Sequence, residues 1–121
     1  LNVIMCRDRR KGIRRISQIA EFEAGDERAS ANIIYRWIPE EDRIIKHSES
    51  SRFYEDITRN TGMSEAELED NLDEKKKVLQ GLIKINIRDL NNFGKIMNLY
   101  YLDRPGLMKA IAENDIKKIL N

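Results

Sequence analysis

The chain has 121 residues, of which 36% are charged and 40% are hydrophobic, and its formal net charge is +1. That length suffices for one domain or two very small ones, and the near-neutral charge excludes a global field that would draw the chain onto nucleic acid or a membrane. A single cysteine, Cys6, excludes an internal disulfide, and no apolar run approaches the length that crosses a bilayer. We therefore expect a cytoplasmic protein.

The first part of the chain predicts about four short strands. Residues 3–6 form a continuous apolar run, which is typical of a strand buried on both faces. Residues 13–22 predict a second, antiparallel strand whose imperfect alternation requires a bulge, although a helical interpretation of this segment stays open. Residues 32–38 are dense in β-branched and aromatic types, and residues 43–47 can return from them as a hairpin.

Two long amphipathic helices follow. Ser64 and Glu67 fit a capping box at the start of the first helix, which is predicted to end near residue 85. Asn86 is suited to the left-handed conformation after a helix, and Asp89 is suited to cap the next helix. Two helices joined so tightly are expected to pack antiparallel. The stripes expected to face each other are Leu68, Leu72, Leu79, Leu82 and Ile83 on the first helix and Leu90, Phe93, Met97, Tyr100 and Tyr101 on the second.

Two shorter helices are predicted on either side of this pair. Residues 53–60 form the first, and Gly62 provides the left-handed residue that ends it. Asp103 and Pro105 begin the last, which places proline in its first turn. Its expected buried residues are Leu107, Met108 and Ile111.

These elements predict an α+β fold, with N-terminal antiparallel β-hairpins followed by a C-terminal bundle of about four helices. We expect a β-rich segment over residues 1–49 and a helical subdomain over residues 50–121. The sequence opens on Leu1, inside a predicted strand, and we expect it to be a fragment of a longer protein.

One dense basic cluster lies at the first predicted hairpin, residues 7–15. It could contact the phosphates of nucleic acid or of a nucleotide, or it could be a solvated hairpin tip. The second interpretation is favoured, because no aromatic residue is interleaved for base stacking and Asp8 lies inside the cluster. The basic residues are Arg7, Arg9, Arg10, Lys11, Arg14 and Arg15.

The residues predict no catalytic, cofactor-binding or metal-binding side chain. The sequence lacks the phosphate-binding pattern G-x-x-x-x-G-K-[ST] and the patterns H-E-x-x-H and G-x-S-x-G. His47 has no partner motif that would orient it as a base. Trp37 is expected to pack in the sheet, and of Tyr100 and Tyr101 one ring is expected to face inward and the other outward.

Several stretches together resemble the C-terminal end of the archaeal type II/type IV secretion ATPases, the motors of archaeal pili, the archaellum and related secretion machines. The resemblance covers roughly residues 3–112, and Gly81 departs from it, since the family carries a bulky aromatic residue there. The resembling stretches are Arg14-Arg15-Ile16 with Ile19-Ala20-Glu21, Tyr35-Arg36-Trp37 with Pro39 and Asp42, Ser51-Arg52-Phe53-Tyr54, Thr61-Gly62-Met63-Ser64, Lys77-Val78-Leu79 and Ile87-Arg88-Asp89.

The resemblance implies a parent that is a hexameric ATPase with a RecA-like core, which uses ATP and Mg²⁺ at residues N-terminal to this segment. It implies that residues 1–49 are the C-terminal edge of that core and that the chain alone is inactive. The implied partners are other subunits of the ring and a membrane platform protein at the inner face of the membrane, with no specific nucleic acid. Candidate contact residues are Arg9, Arg10, Arg14 and Arg88, because a guanidinium can grip a carboxylate in two places. The alternative is a nucleic-acid-binding or protein-interaction module that uses the basic hairpin.

Overall fold

The computed structural model describes all 121 residues and divides them into two compact units, Leu1–Glu65 and Ala66–Asn121. It confirms the α+β class, since a four-stranded antiparallel sheet precedes five helices. The first helix belongs to the same unit as the sheet. The boundary predicted between residues 49 and 50 therefore lies inside the first unit.

The sheet has the order β1-β2-β3-β4, and consecutive strands pair antiparallel. Its strands are β1 (Asn2–Asp8), β2 (Ile13–Ala24), β3 (Ala29–Ile38) and β4 (Arg43–Lys46). In β2 the predicted bulge is present, because Ile4 pairs with Gln18 whereas Met5 pairs with Ile16. Ser17 is the extra residue. The helical interpretation of this segment is thus excluded.

Strand β1 forms as predicted, but the prediction that it is buried on both faces is wrong. Val3 and Met5 are 55% and 64% exposed. β1 is an edge strand, and the unit supplies only one helix to cover the sheet. Ala20 and Ile34 are the only buried apolar residues of the four strands. The apolar run therefore predicts the strand correctly but predicts its burial incorrectly.

The helices are α1 (Phe53–Thr61), α2 (Glu65–Lys84), α3 (Leu90–Leu102), α4 (Arg104–Ala112) and α5 (Ile116–Leu120). Gly62 ends α1 as predicted, with φ +71° and its N–H donating to Thr58 O at 3.0 Å. α5 is a separate short helix with Ile116 fully buried.

The turns between the long helices follow the predicted capping chemistry. Asn86 adopts a left-handed conformation with φ +60°. The carboxylate of Asp89 accepts the Asn92 N–H at 2.8 Å and so caps α3. Asp103 caps α4 by accepting the Gly106 N–H at 3.1 Å. Each of these positions is set by local chemistry, which is why the sequence predicts it.

The core of the helical unit differs in part from the predicted stripes. Leu68, Leu82 and Tyr100 are buried as expected. Leu79 and Ile83, however, are 43% and 75% exposed, and Leu72, Leu90 and Phe93 are also exposed. On α2 the stripe that faces the core is rotated by about one position and centres on Val78. The buried cluster consists of Val78, Leu82, Ile96, Tyr100, Leu107 and Ile116.

α3 runs antiparallel to α2, as predicted. The Tyr100 hydroxyl near the end of α3 accepts from Asn71 at 3.0 Å and donates to Glu74 at 3.1 Å, and both partners lie in the first half of α2. Gly81 permits a close approach in the second half of α2. A Cβ at this position would lie 2.9 Å from Cδ1 of Ile116, so the absence of a side chain makes room for α5.

Candidate interaction surface

The tip of the β1–β2 hairpin is built around Asp8. Its carboxylate accepts the backbone N–H groups of Arg10 at 2.9 Å and Lys11 at 3.3 Å, and it lies 3.8 Å from Arg10 Nε. A short acidic side chain that binds the following backbone is the usual way to fix such a turn. The single carboxylate in the basic cluster therefore has a local structural role.

Arg15 is the one arginine of the cluster that the fold holds firmly. Its Nε and Nη2 donate to the two carboxylate oxygens of Asp42 at 2.7 and 2.9 Å, and Trp37 Nε1 donates to the same carboxylate at 3.0 Å. The hydrogen bonds from Arg15 and Trp37 lower the pKa of Asp42 to about 2. This bidentate contact joins β2 to the turn before β4.

Arg7 and Arg14 are placed differently. They face each other directly across β1 and β2, and both side chains are exposed. Neither takes part in any of the ion pairs of the chain. Like charges directly opposite each other on a sheet are destabilising, so this pair gains from a carboxylate supplied by another molecule. Arg9, also exposed, lies in the turn beyond them.

The remaining candidate contact residue, Arg88, lies in the helical unit, between α2 and α3. It is exposed, and its Nε donates to the side-chain oxygen of Asn86 at 2.7 Å. This hydrogen bond gives Arg88 one partner within the chain. Its other guanidinium N–H groups make no hydrogen bond within the chain.

Sequence reasoning missed Glu21, the one buried charged side chain. The carboxylate accepts from Asn32 Nδ2 at 2.9 Å, from the hydroxyls of Ser50 and Ser51 at 2.8 Å each, and from the Phe53 N–H at 3.1 Å. Burial by itself raises the pKa of this group, but the hydrogen bonds outweigh it and hold the pKa far below its usual value. A carboxylate at the start of α1 also suits the positive end of the helix dipole.

The first unit is thus tied together by this buried anion. Its donors lie 11 to 32 residues away along the chain. The only local signal in the sequence is the run of serines after β4, which is equally typical of a linker.

A second polar cluster lies in the helical unit. Glu74 pairs with Arg104 and accepts from Tyr100, and the hydrogen bond from Arg104 is the main cause that lowers the pKa of Glu74. Burial raises the pKa of the Tyr100 hydroxyl. Lys75 Nζ lies 5.6 and 5.5 Å from the ring centroids of Tyr100 and Tyr101. As predicted, one tyrosine faces inward and the other outward, with exposed fractions of 3% and 71%.

Both clusters are hydrogen-bonded networks that join elements of the fold. The one side-chain hydrogen bond of His47 joins Nδ1 to the backbone oxygen of Ile33 at 3.2 Å, and no carboxylate bonds to the ring. No group of three or more His, Cys, Asp or Glu side chains is arranged to hold a metal ion. None of the helices has both the length and the apolar character that crossing a membrane requires.

The candidate interaction surface consists of exposed arginines at one end of a sheet whose apolar residues are poorly covered. No model of a known protein family matches the chain, and no curated protein matches it.

Proposed function

We propose that this chain is the C-terminal region of a subunit of a secretion-type ATPase, as the motors of archaeal pili and the archaellum are, and that it serves in contacts between subunits and in transmission of motion. The proposal rests on sequence stretches that resemble this family. Its structural support is that these stretches meet: the Asp42 carboxylate accepts from both Arg15 and Trp37, and the Glu21 carboxylate accepts from Ser51 and Phe53. Stretches far apart in sequence therefore act together in one unit.

The chain itself does not fit ATP or Mg²⁺. It has no glycine-rich phosphate-binding loop, and no cluster of carboxylates or histidines is arranged for a metal. In the proposed parent, nucleotide chemistry is the task of preceding residues. This segment would complete the core, contact neighbouring subunits of a hexameric ring and pass motion to a membrane platform protein on the cytoplasmic side.

The candidate contact residues are Arg9, Arg10, Arg14 and Arg88. All four side chains are exposed, and none is held by a bidentate carboxylate as Arg15 is. Arginine is suited to such contacts because its planar fork can bind a partner's carboxylate at two points.

The test begins with the coding region upstream of Leu1. We expect it to encode the pattern G-x-x-x-x-G-K-[ST], and a complete parent without that pattern contradicts the proposal. The encoded full-length protein should hydrolyse ATP, whereas the chain of 121 residues should neither hydrolyse nor bind it. Measurable turnover by the isolated chain, retained after repeated purification, also contradicts it.

A second candidate function, a nucleic-acid-binding module, is favoured only by the unpaired arginines of the hairpin. Phosphate attraction is the one available driving force, because no aromatic side chain is interleaved with them. We expect weak, salt-sensitive binding without sequence preference. Titration of labelled duplex at physiological salt distinguishes the two functions, since tight, sequence-selective binding would replace the ATPase proposal.

A further inference from the structure

One face of the sheet carries apolar side chains that the first unit leaves exposed or only partly buried. The register places Val3, Ile19 and Tyr35 side by side across three strands, with Met5 beside Ile16 in the next row of the same face. None of these five residues is buried. We call them the apolar sheet face. Contiguous apolar surface that stays exposed is a candidate interaction site.

The unpaired arginines border this face. Arg7 is two residues from Met5 in β1, so its side chain leaves the same side of the sheet, and Arg14 is its cross-strand partner. The occupant of the face must therefore carry apolar side chains followed by carboxylates at one end.

The chain itself presents such an element on α2. α2 carries Glu65, Glu69, Leu72, Leu79 and Ile83 at spacings of four, three, seven and four residues, which places them on one line along the helix. All five are exposed. We call them the α2 seam. Its apolar part turns away from the core that Val78 and Leu82 join.

The two surfaces are complementary in charge. Glu65 and Glu69 form no ion pair within the chain, and like charges four residues apart on a helix repel each other. Arg7 and Arg14 repel each other across the strands in the same way.

We propose that the α2 seam of one copy of this chain docks on the apolar sheet face of another, with Glu65 and Glu69 against Arg7 and Arg14. The contact is heterologous, because each copy uses two different surfaces. It therefore closes into a ring or continues as a filament. The inference rests on the proposed function only for the expectation of a ring, since both surfaces follow from exposure and charge. Lys76, which also lies on this side of α2, can cover apolar surface with its stem while its ammonium group reaches solvent.

Sedimentation velocity of the purified chain over a range of concentrations is the first measurement. We expect reversible self-association that weakens as salt is raised, since four exposed charges meet in the contact. A chain that stays monomeric at every concentration overturns the proposal. Association that is unaffected or strengthened by salt also overturns it.

Charge reversal provides the decisive experiment. Arg7→Glu with Arg14→Glu, and separately Glu65→Arg with Glu69→Arg, should each raise the dissociation constant at least about tenfold. An equimolar mixture of the two variants should associate again, because every contact between unlike copies is then complementary. One chain that carries all four changes should also recover self-association.

Arg28→Glu with Arg36→Glu is the matched control. It makes the same change in charge in the same unit, and Arg36 points to the opposite side of β3 from Tyr35. It should associate like the unchanged protein. Loss of association in the control, or no recovery in the mixture, overturns the proposed pairing.

Circular dichroism establishes that each variant is folded. If a reversed pair fails to fold, the neutral changes Arg7→Gln with Arg14→Gln take its place and should still weaken association. None of these outcomes depends on an upstream nucleotide-binding loop, so the inference and the proposed function can fail separately.

Discussion

In the helical unit, side chains from four helices form one buried apolar cluster, whereas in the sheet unit only Ala20 and Ile34 are buried apolar strand residues. The sheet unit is held together by hydrogen bonds and an ion pair instead. Glu21 accepts from the backbone at the start of α1, and Arg15 binds Asp42. The helical unit thus contains its own core, and the sheet leaves much of its apolar surface uncovered. We therefore expect partner contacts first on the sheet.

The comparison predicts that the largest stability losses follow changes in the helical core. Ile96 is completely buried in the cluster, and Ile96→Ala should cost about 2–5 kcal/mol of unfolding free energy, because a buried cavity is created. Urea denaturation followed by helical ellipticity measures this loss. A loss under about half a kcal/mol would mean that the cluster is not the core of this unit.

In the sheet unit the largest loss should come from Glu21. Glu21→Gln removes the charge that its donors bind, and one amide oxygen cannot satisfy all of them, so we expect a loss of about 1–3 kcal/mol. Trp37, the single tryptophan, lies in this unit and reports its unfolding by fluorescence. Glu23→Gln, at a half-buried carboxylate two residues away, is the control and should change the transition much less.

The same residue predicts the dependence of stability on pH. The pKa of Glu21 is lower in the folded chain than in the unfolded chain, so the unfolded state binds the proton more tightly. Its stabilisation is therefore complete above the ordinary glutamate pKa and is lost as pH falls towards the folded pKa. Glu21→Gln should reduce the acid-side loss of stability seen by Trp37 fluorescence. An unchanged pH profile would show that other carboxylates control it.

These differences also explain which features the sequence could predict. Asn86, Asp89 and Asp103 were identified correctly because a cap is decided within about four residues. Glu21 was missed, because its partners lie in β3 and before α1 and nothing local distinguishes it from a surface glutamate. On α2, the spacing of leucines showed a helix, but only the neighbouring helices decide that Val78 faces the core and Leu79 does not.

Leu79→Ala tests which face of α2 is buried. The stripe drawn from the sequence predicts a loss of about 2–5 kcal/mol for a buried leucine. Since the structure leaves Leu79 43% exposed, we expect less than about 1 kcal/mol. The same urea experiment compares it with Ile96→Ala. If the α2 seam docks on a second copy, Leu79→Ala should also weaken self-association, and a loss as large as that of Ile96→Ala in the monomer would contradict the assigned orientation of α2.

The smallest effect on stability is expected for Arg88→Ala. Arg88 is exposed, and the change removes one surface hydrogen bond to Asn86. Thermal melts of the chain should therefore place the variant within about half a kcal/mol of the unchanged protein. Asp89→Ala is the matched control at the neighbouring residue, and it should cost about 1 kcal/mol because it removes the cap of α3.

In a full-length ring, Arg88→Ala should reduce assembly or ATPase output despite its small effect on folding, since a guanidinium with free N–H groups is suited to bind a neighbour's carboxylate. If Arg88→Ala unfolds the chain while the assembled ring keeps its activity, the residue is structural and its assignment as a contact residue is wrong.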